Sequence, residues 1–223
     1  MGWREEVFKD FRLYAVTDLR AEEPGALRKI EQAYRGGTDI VQLRSKVLSD
    51  VALIRLGLKT AKLAAKYKKL FFVNDRVDLA LVTGADGVHL GQDDMTIPAA
   101  RKLAARMGHK LWIGKSTHSL RQAFAAVKEG ADYIGVGPVF PTPTKPNANS
   151  VGLQYVRQAA LRIQIPWVAI GGIDLKNIFQ VTAAGATRIA VVRAIFAAKE
   201  PEIVARKLKN VLLRHCERSE AIA

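Results

Sequence analysis

Two carboxylates, Asp75 and Asp94, and three cations, Arg44, Lys46 and Lys145, are the residues of this chain best equipped to do chemistry together. Two carboxylates from separate loops suit Mg²⁺, which keeps several waters and takes its other ligands from phosphate oxygens. The three cations can share the remaining charge of a diphosphate. Asn74, Ser116, Thr142 and Thr144 add neutral hydrogen-bonding groups. Each acid also has a structural reading: Asp75 stands next to Arg76 as a ready ion pair, and Asp93-Asp94 can cap a helix. Taken as one set, the residues favour the metal site.

A second group reads as a phosphate clamp. Gly171-Gly172-Ile173-Asp174 follows an apolar run and is expected to open a helix, where glycine lets backbone approach a ligand and free N–H groups face an anion. Val192-Arg193 ends the last apolar run and is expected to begin another helix beside it. A tight turn without a ligand would use the same glycines. His118 invites proton transfer, since imidazole titrates near neutral pH, and a place beside a helix start with Ser119 fits it equally. His89 alternates with apolar neighbours and reads as a packed strand residue. Cys216 lies in the tail and is given no catalytic role.

These residues are distant along the chain and need a scaffold that gathers them. Short β-rich runs alternate with helical stretches from end to end. Strands are expected at residues 12–16, 39–43, 69–73, 87–90, 111–113, 133–137, 166–170 and 188–192. Leu70-Phe71-Phe72-Val73 and Ile189-Ala190-Val191-Val192 are continuous apolar runs, as in parallel strands covered on both faces. Between the strands, Val51, Ile54, Leu58, Ala61 and Ala65 trace one helical stripe. Ser119 with Gln122 reads as a capping box that leads to Phe124 and Val127 on a buried face. Pro201 opens a last helix with Val204, Leu208, Val211 and Leu212 turned inward.

Eight such units predict an α/β fold of the (β/α)₈ TIM-barrel type, with an open doubly wound sheet as the alternative because periodicity does not show closure. One barrel domain is expected over residues 1–214, followed by a frayed tail over 215–223. Polar and glycine residues cluster after each strand, at Thr17-Asp18, Gln42 to Lys46, Asn74-Asp75, His89 to Asp94, Ser116 to His118, Thr142 to Lys145 and Gly171-Gly172. A parallel barrel brings those strand ends to one rim.

Composition narrows the classes. With 49% hydrophobic residues among 223, the chain can bury a sizeable core and is not disordered. A single cysteine excludes a disulfide framework within the chain and fits a reducing, cytoplasmic setting. Met1 to Glu6 lacks the apolar stretch of a signal peptide. No window approaches the ~20 apolar residues of a spanning helix, so no membrane partner is expected. The net charge of +14 favours acidic partners, either phosphorylated small molecules or nucleic acid. The cations are spread over helical stretches such as Lys59, Lys62, Lys66, Lys68 and Lys69, without a series of stacking aromatics among them. They read as solvated helix faces, and nucleic acid is not the expected partner.

Six motifs occur in order: Val41-Gln42-Leu43-Arg44-Ser45-Lys46, Asn74-Asp75-Arg76-Val77-Asp78, Gly87-Val88-His89-Leu90-Gly91-Gln92-Asp93-Asp94, Ile113-Gly114-Lys115-Ser116-Thr117-His118, Gly137-Pro138-Val139-Phe140-Pro141-Thr142-Pro143-Thr144-Lys145 and Ala169-Ile170-Gly171-Gly172-Ile173. Together they resemble the signature series of the thiamine-phosphate synthase family, over roughly residues 12–200. The resemblance implies a transferase that couples hydroxymethylpyrimidine diphosphate to a thiazole phosphate, giving thiamine phosphate and pyrophosphate. It implies Mg²⁺ on Asp75 and Asp94. It places the pyrimidine diphosphate on Gln42, Leu43, Arg44, Ser45, Lys46, Asn74, Ser116 and Lys145. The thiazole phosphate falls to Thr142, Pro143, Thr144, Gly172, Val192 and Arg193.

In the implied mechanism the bond from the pyrimidine methylene to the diphosphate ionises and the thiazole nitrogen traps the cation. Such a reaction needs alignment and charge neutralisation, not a strong nucleophile. The catalytic work is expected from Arg44, Lys46, Ser116 and Lys145. Arg193 departs from the serine common in the family. A homo-oligomer is left open. Two other readings remain: a thiazole tautomerase-like barrel that uses His118, and a non-catalytic basic barrel that binds nucleic acid. Asp75, Asp94 and the run from Thr142 to Lys145 argue against the first, and the retained acids and rim cations argue against the second.

Overall fold

The structure, a computed structural model, describes residues 2–144 and 149–220. Its strands are β1 (Leu13–Val16), β2 (Ile40–Leu43), β3 (Leu70–Asn74), β4 (Gly87–Leu90), β5 (Trp112–Thr117), β6 (Tyr133–Val136), β7 (Trp167–Ile170) and β8 (Ile189–Val191). All pair in parallel and in chain order, and β8 pairs back with β1, so the sheet closes into the expected barrel. The open doubly wound sheet is thereby excluded. Most strand ends lie within a residue or so of the expected ones. The exception is β5, which runs on to Thr117, so Lys115 and Ser116 lie on the strand and not after it. Gly114, Lys115 and Ser116 are poor strand formers, but pairing with β6 overrides their local preference.

Both faces of the sheet are apolar, with the period of two that strands impose. Leu13, Val41, Leu43, Phe71 and Val73 face the surrounding helices, while Tyr14, Ile40, Leu70, Phe72 and Tyr133 fill the barrel. The large inner rings fit because glycines stand opposite them. A Cβ on Gly114 would lie 2.1 Å from the Tyr133 ring, and one on Gly87 would lie 2.6 Å from the Phe72 ring. Interior volume is thus shared unequally between neighbouring strands, which is how a small barrel packs without voids.

A short helix that the sequence pattern did not show, α1 (Trp3–Asp10), covers the N-terminal end of the barrel. Phe8 from this helix stacks on Trp112 at 4.6 Å and sits edge-on to Tyr133. Removing the ring by Phe8→Ala is expected to cost about 3 kcal/mol, read from urea unfolding. Turnover should hold, because the helix lies at the end opposite the strand C-termini.

The helices that follow the strands, α2 (Ala26–Arg35), α3 (Asp50–Lys66), α4 (Val77–Thr83), α5 (Ile97–Arg106), α6 (Leu120–Lys128), α7 (Gly152–Arg162), α8 (Ile178–Ala183) and α9 (Arg193–Phe196), correct two sequence expectations. In α3 the expected stripe is displaced: Val51 and Leu58 are exposed, and the buried line runs through Ala52, Gly57, Thr60 and Ala64. In α6, Phe124 and Val127 are exposed and Ala123 and Ala126 are buried. The reason is close packing. A Cβ on Gly57 would come within 2.6 Å of Thr83 of α4, so this face admits only small side chains.

The last helix, α10 (Pro201–Glu220), buries Leu208 and Leu212 as expected. It continues through Glu220, where the sequence predicted a frayed tail from His215. No glycine or proline between Arg214 and Glu220 ends it.

At the N-terminal rim a triplet recurs: Gly37-Thr38-Asp39, Gly84-Ala85-Asp86 and Gly130-Ala131-Asp132. Each aspartate precedes an even-numbered strand and accepts from the start of the strand before it. Asp39 accepts from the N–H groups of Arg12 (2.8 Å) and Leu13 (3.1 Å), Asp86 from Phe71 (2.9 Å) and Asp132 from Ile113 (2.7 Å). Before β8 the matching position is Thr187.

Candidate active site

At the other end of the strands a cavity of about 490 Å³ opens, a size suited to a small molecule. Of the predicted residues, Gln42, Arg44, Asn74, Ser116, Thr142, Pro143, Thr144, Gly172, Val192 and Arg193 line it. Two do not present their side chains. Leu43 is buried between sheet and helices. The Ser45 hydroxyl donates to the Leu19 carbonyl at 2.8 Å and accepts from Leu48 N at 3.0 Å, folding the loop after β2. Either residue reaches a ligand only through backbone. Lys145 lies outside the described residues.

Asp75, Asp94 and Lys46 sit on the rim beside Asn74. Lys46 Nζ donates to Asp75 Oδ2 at 2.6 Å. Asp75 adopts a left-handed backbone, φ 62°, which aspartate tolerates better than most residues, while its N–H holds the His89 carbonyl at 2.8 Å. Asp94 Oδ2 accepts from Gly91 N at 2.6 Å. Burial first, and then the neighbouring Asp75 carboxylate, push the Asp94 carboxyl above its usual range. The two acids are therefore close enough to act on each other, as a shared ion requires. Among the described residues no group of three or more His, Cys, Asp or Glu side chains gathers. A cation at this pair would draw its other ligands from water or substrate, which is the Mg²⁺ pattern. The donor set fits.

Arg44 is buried in the cavity wall and pairs with Asp18 in the loop after β1. Its backbone is fastened to the Thr17 hydroxyl in both directions, at 2.8 and 2.9 Å. The guanidinium is thus held in place before any ligand arrives.

The opposite wall carries the glycines. Gly171 and Gly172 have φ of 106° and 65°, and a Cβ on either would collide with Pro138, Phe140 or Pro141. No other residue fits there. The sequence placed a helix start at Asp174, but α8 begins only at Ile178. Asp174 accepts from Lys176 N at 2.8 Å, and Asn177 bonds Asp174 N and the Gly172 carbonyl, so side chains hold a turn in place of the first helical residues. α9 begins at Arg193 with Val192 as its cap, as expected. Thr144 Oγ1 is buried without a hydrogen-bond partner among the described residues. Arg193 is exposed and borders both this cavity and a second of about 370 Å³.

Of the histidines, His118 Nδ1 donates to the Gly137 carbonyl. Ser119 caps α6 by accepting from Gln122 N as expected, but the Gln122 side chain accepts from His118 N, one residue before the cap, and not from Ser119 N as a full capping box would. Sequence reasoning missed His89. Its apolar neighbours predict a packed strand residue, yet it lines the cavity and contacts Ser116. Its two-residue offset from Gly87 and Gly91 places it on the inner face, a signal visible only once the strand is assigned.

The sequence profile described as thiamine monophosphate synthase matches residues 13–195. The chain belongs to this family. A thiamine-phosphate synthase of Thermus thermophilus is 49% identical over 207 residues, covering 90% of this chain and 97% of that one. One from Gloeobacter violaceus is 50% identical over 190 residues, and there the match spans only 54% of the relative. Among solved structures, a thiamine phosphate pyrophosphorylase from Pyrococcus furiosus matches with a TM-score of 0.85 at 36% identity, covering 96% of this chain and 99% of that one. A 3-hexulose-6-phosphate synthase, at 21% identity and a TM-score of 0.65, shares the fold alone. As a member of the thiamine monophosphate synthase family, the chain is a transferase of thiamine biosynthesis. Among its described residues no helix is long and apolar enough to cross a membrane.

Proposed function

We propose that this chain joins hydroxymethylpyrimidine diphosphate to thiazole phosphate in the cavity, with Mg²⁺ on Asp75 and Asp94. One observation carries the reading. Two neighbouring carboxylates, Asp75 and Asp94, and Lys46 stand on one side of a ligand-sized cavity, while a glycine turn and the start of α9 stand on the other. Two anionic groups on two rings need two such ends.

In the reaction the carbon–oxygen bond to the diphosphate breaks, the thiazole nitrogen supplies the electron pair of the new carbon–nitrogen bond, and pyrophosphate leaves. The bound ion supplies charge neutralisation for the leaving group. Arg44, pre-oriented by Asp18, and Lys46 bear on the same charge. Lys145 belongs to this group by its place in the motif. Gln42, Asn74 and Ser116 hold the pyrimidine in the lower cavity, and Thr142, Thr144, Gly172, Val192 and Arg193 hold the thiazole phosphate. A cytoplasmic setting is part of the proposal, supported by the single cysteine.

The test is direct. Purified protein with both phosphorylated rings should yield thiamine phosphate and pyrophosphate in equal amounts, by mass, and only with Mg²⁺ present. No product would refute the reading, and product in excess chelator would refute the metal's part in it.

Arg193 stands where serine is common in the family and adds a cation at the phosphate end. A hydrogen bond to a charged group contributes about 1.5–3 kcal/mol. Arg193→Ser is therefore expected to raise KM for thiazole phosphate by about tenfold or more, with kcat little changed, in steady-state kinetics. Tighter binding in the variant would show that the arginine crowds the site.

A further inference from the structure

A chain of hydrogen bonds crosses the barrel beneath the cavity. Gln42 Nε2 donates to the Tyr14 hydroxyl at 3.0 Å, and that hydroxyl lies 2.9 Å from the Tyr133 hydroxyl. Tyr133 OH is 2.8 Å from His89 Nδ1, and His89 Nε2 is 2.9 Å from Ser116 Oγ. Tyr14, Gln42 and Tyr133 are almost fully buried. Burial raises the pKa of both tyrosines, so they stay protonated at neutral pH.

A phenol has one proton to give, so the direction fixed at one end of such a chain passes to the other. The Gln42 amide nitrogen donates and cannot accept. Tyr14 therefore accepts there and turns its own proton to Tyr133, and Tyr133 turns its proton to His89 Nδ1. That nitrogen must then be unprotonated. The neutral imidazole carries its proton on Nε2 and donates to Ser116 Oγ. Ser116 retains one proton and meets no other acceptor among the described residues, while Gln42 retains Oε1. Both residues line the cavity.

We infer that Gln42, acting through Tyr14 and Tyr133, locks His89 in its Nε2–H form and so makes Ser116 a hydrogen-bond donor to the cavity's occupant. His89 is a positioning residue, since it acts through Ser116. The consequence for specificity rests on the function proposed above. A ring nitrogen of an aminopyrimidine accepts from Ser116, and its exocyclic amine can donate to Gln42 Oε1. An oxopyrimidine reverses this pattern, with an N–H where the amine form has a lone pair and a carbonyl where it has a donor. The network thus selects the amino ring against its deaminated analogue.

The experiment reads the proton first and turnover second. In protein carrying ¹⁵N-histidine, at neutral pH and without ligand, the His89 signals are assigned by comparison with His89→Gln. Nδ1 should appear pyridine-like and Nε2 pyrrole-like, whereas a protonated Nδ1 would overturn the inference. Tyr133→Phe removes the donor to Nδ1 and should bring the other tautomer into the spectrum, with kcat/KM lower by about tenfold, the worth of one hydrogen bond. An unchanged spectrum in that variant would equally count against it. Gln at position 89 can still donate to Ser116, so His89→Gln should keep turnover within about threefold and His89→Leu should lose tenfold or more. Equal loss in both would reduce His89 to packing. If the unaltered protein forms no thiamine phosphate, the functional reading fails while the tautomer is still decided by the spectrum. If it turns over and Nδ1 is protonated, only the present inference falls.

Discussion

Asp75→Asn or Asp94→Asn should lower thiamine phosphate formation by about 10³-fold, the several kcal/mol that a bound ion contributes to a developing anion. Asparagine is the better choice at position 75, because it tolerates the left-handed backbone there and alanine does not. The residual rate in each variant should no longer depend on Mg²⁺ concentration. Stability should move differently. Without an ion, Asp94 is held above its ordinary carboxylate range by burial and by Asp75, so the pair repels at neutral pH. A carboxyl whose folded pKa is raised opposes folding as pH rises past its unfolded value, and neutralising it removes that penalty. The metal-free variants should therefore melt no lower than the unaltered protein. Loss of rate together with loss of the fold would mean that the acids are structural.

The second large effect lies at the opposite rim. Asp39 is buried, accepts two backbone N–H groups, and pairs with Lys69 at 2.8 Å and with Lys209 of α10. Asp39→Ala leaves those cations without their counter-charge and the start of β1 without its acceptor. The expected cost is about 3–5 kcal/mol in urea unfolding, the range for breaking one side of a buried pair. Burial alone would raise this carboxyl, but Lys209 and Lys69 outweigh burial and hold it below the usual range. A depressed carboxyl contributes stability that is complete above the unfolded pKa and is lost as pH falls through the lower, folded value. Stability of the unaltered protein should thus decline in that acid window, and the variant's should decline less. kcat should be unaffected, since the change is remote from the cavity. A variant as stable as its parent would remove the network from the account of the fold.

The barrel was legible because parallel strands covered on both faces are apolar throughout, and the rim was legible because strand ends carry the polar residues. Reading Asp75, Asp94, Lys46 and Arg44 as one group needed only that rule. What the sequence hid was hidden by packing. Val51, Leu58, Phe124 and Val127 look like core by type, but the helix crossings at Gly57 and the buried alanines admit only small groups. Helix α1 is short and makes its contacts through Trp3, Val7 and Phe8 against residues far along the chain, so no local period reveals it. Ser116 sits on a strand whose composition resembles a turn. His89 looked apolar by company and proves polar by partner, because its partners come from β5 and β6.

The aspartate triplet has a gap before β8, where Thr187 takes its place, and β8 is also the shortest strand, with two residue pairs to β7. The last stave of the barrel is therefore the least firmly nailed. It leads straight into Val192 and Arg193, and an anion seated there would draw β8 against the Gly172 turn that follows β7. Substrate would then act as the missing rivet, tightening the seam between the last two strands.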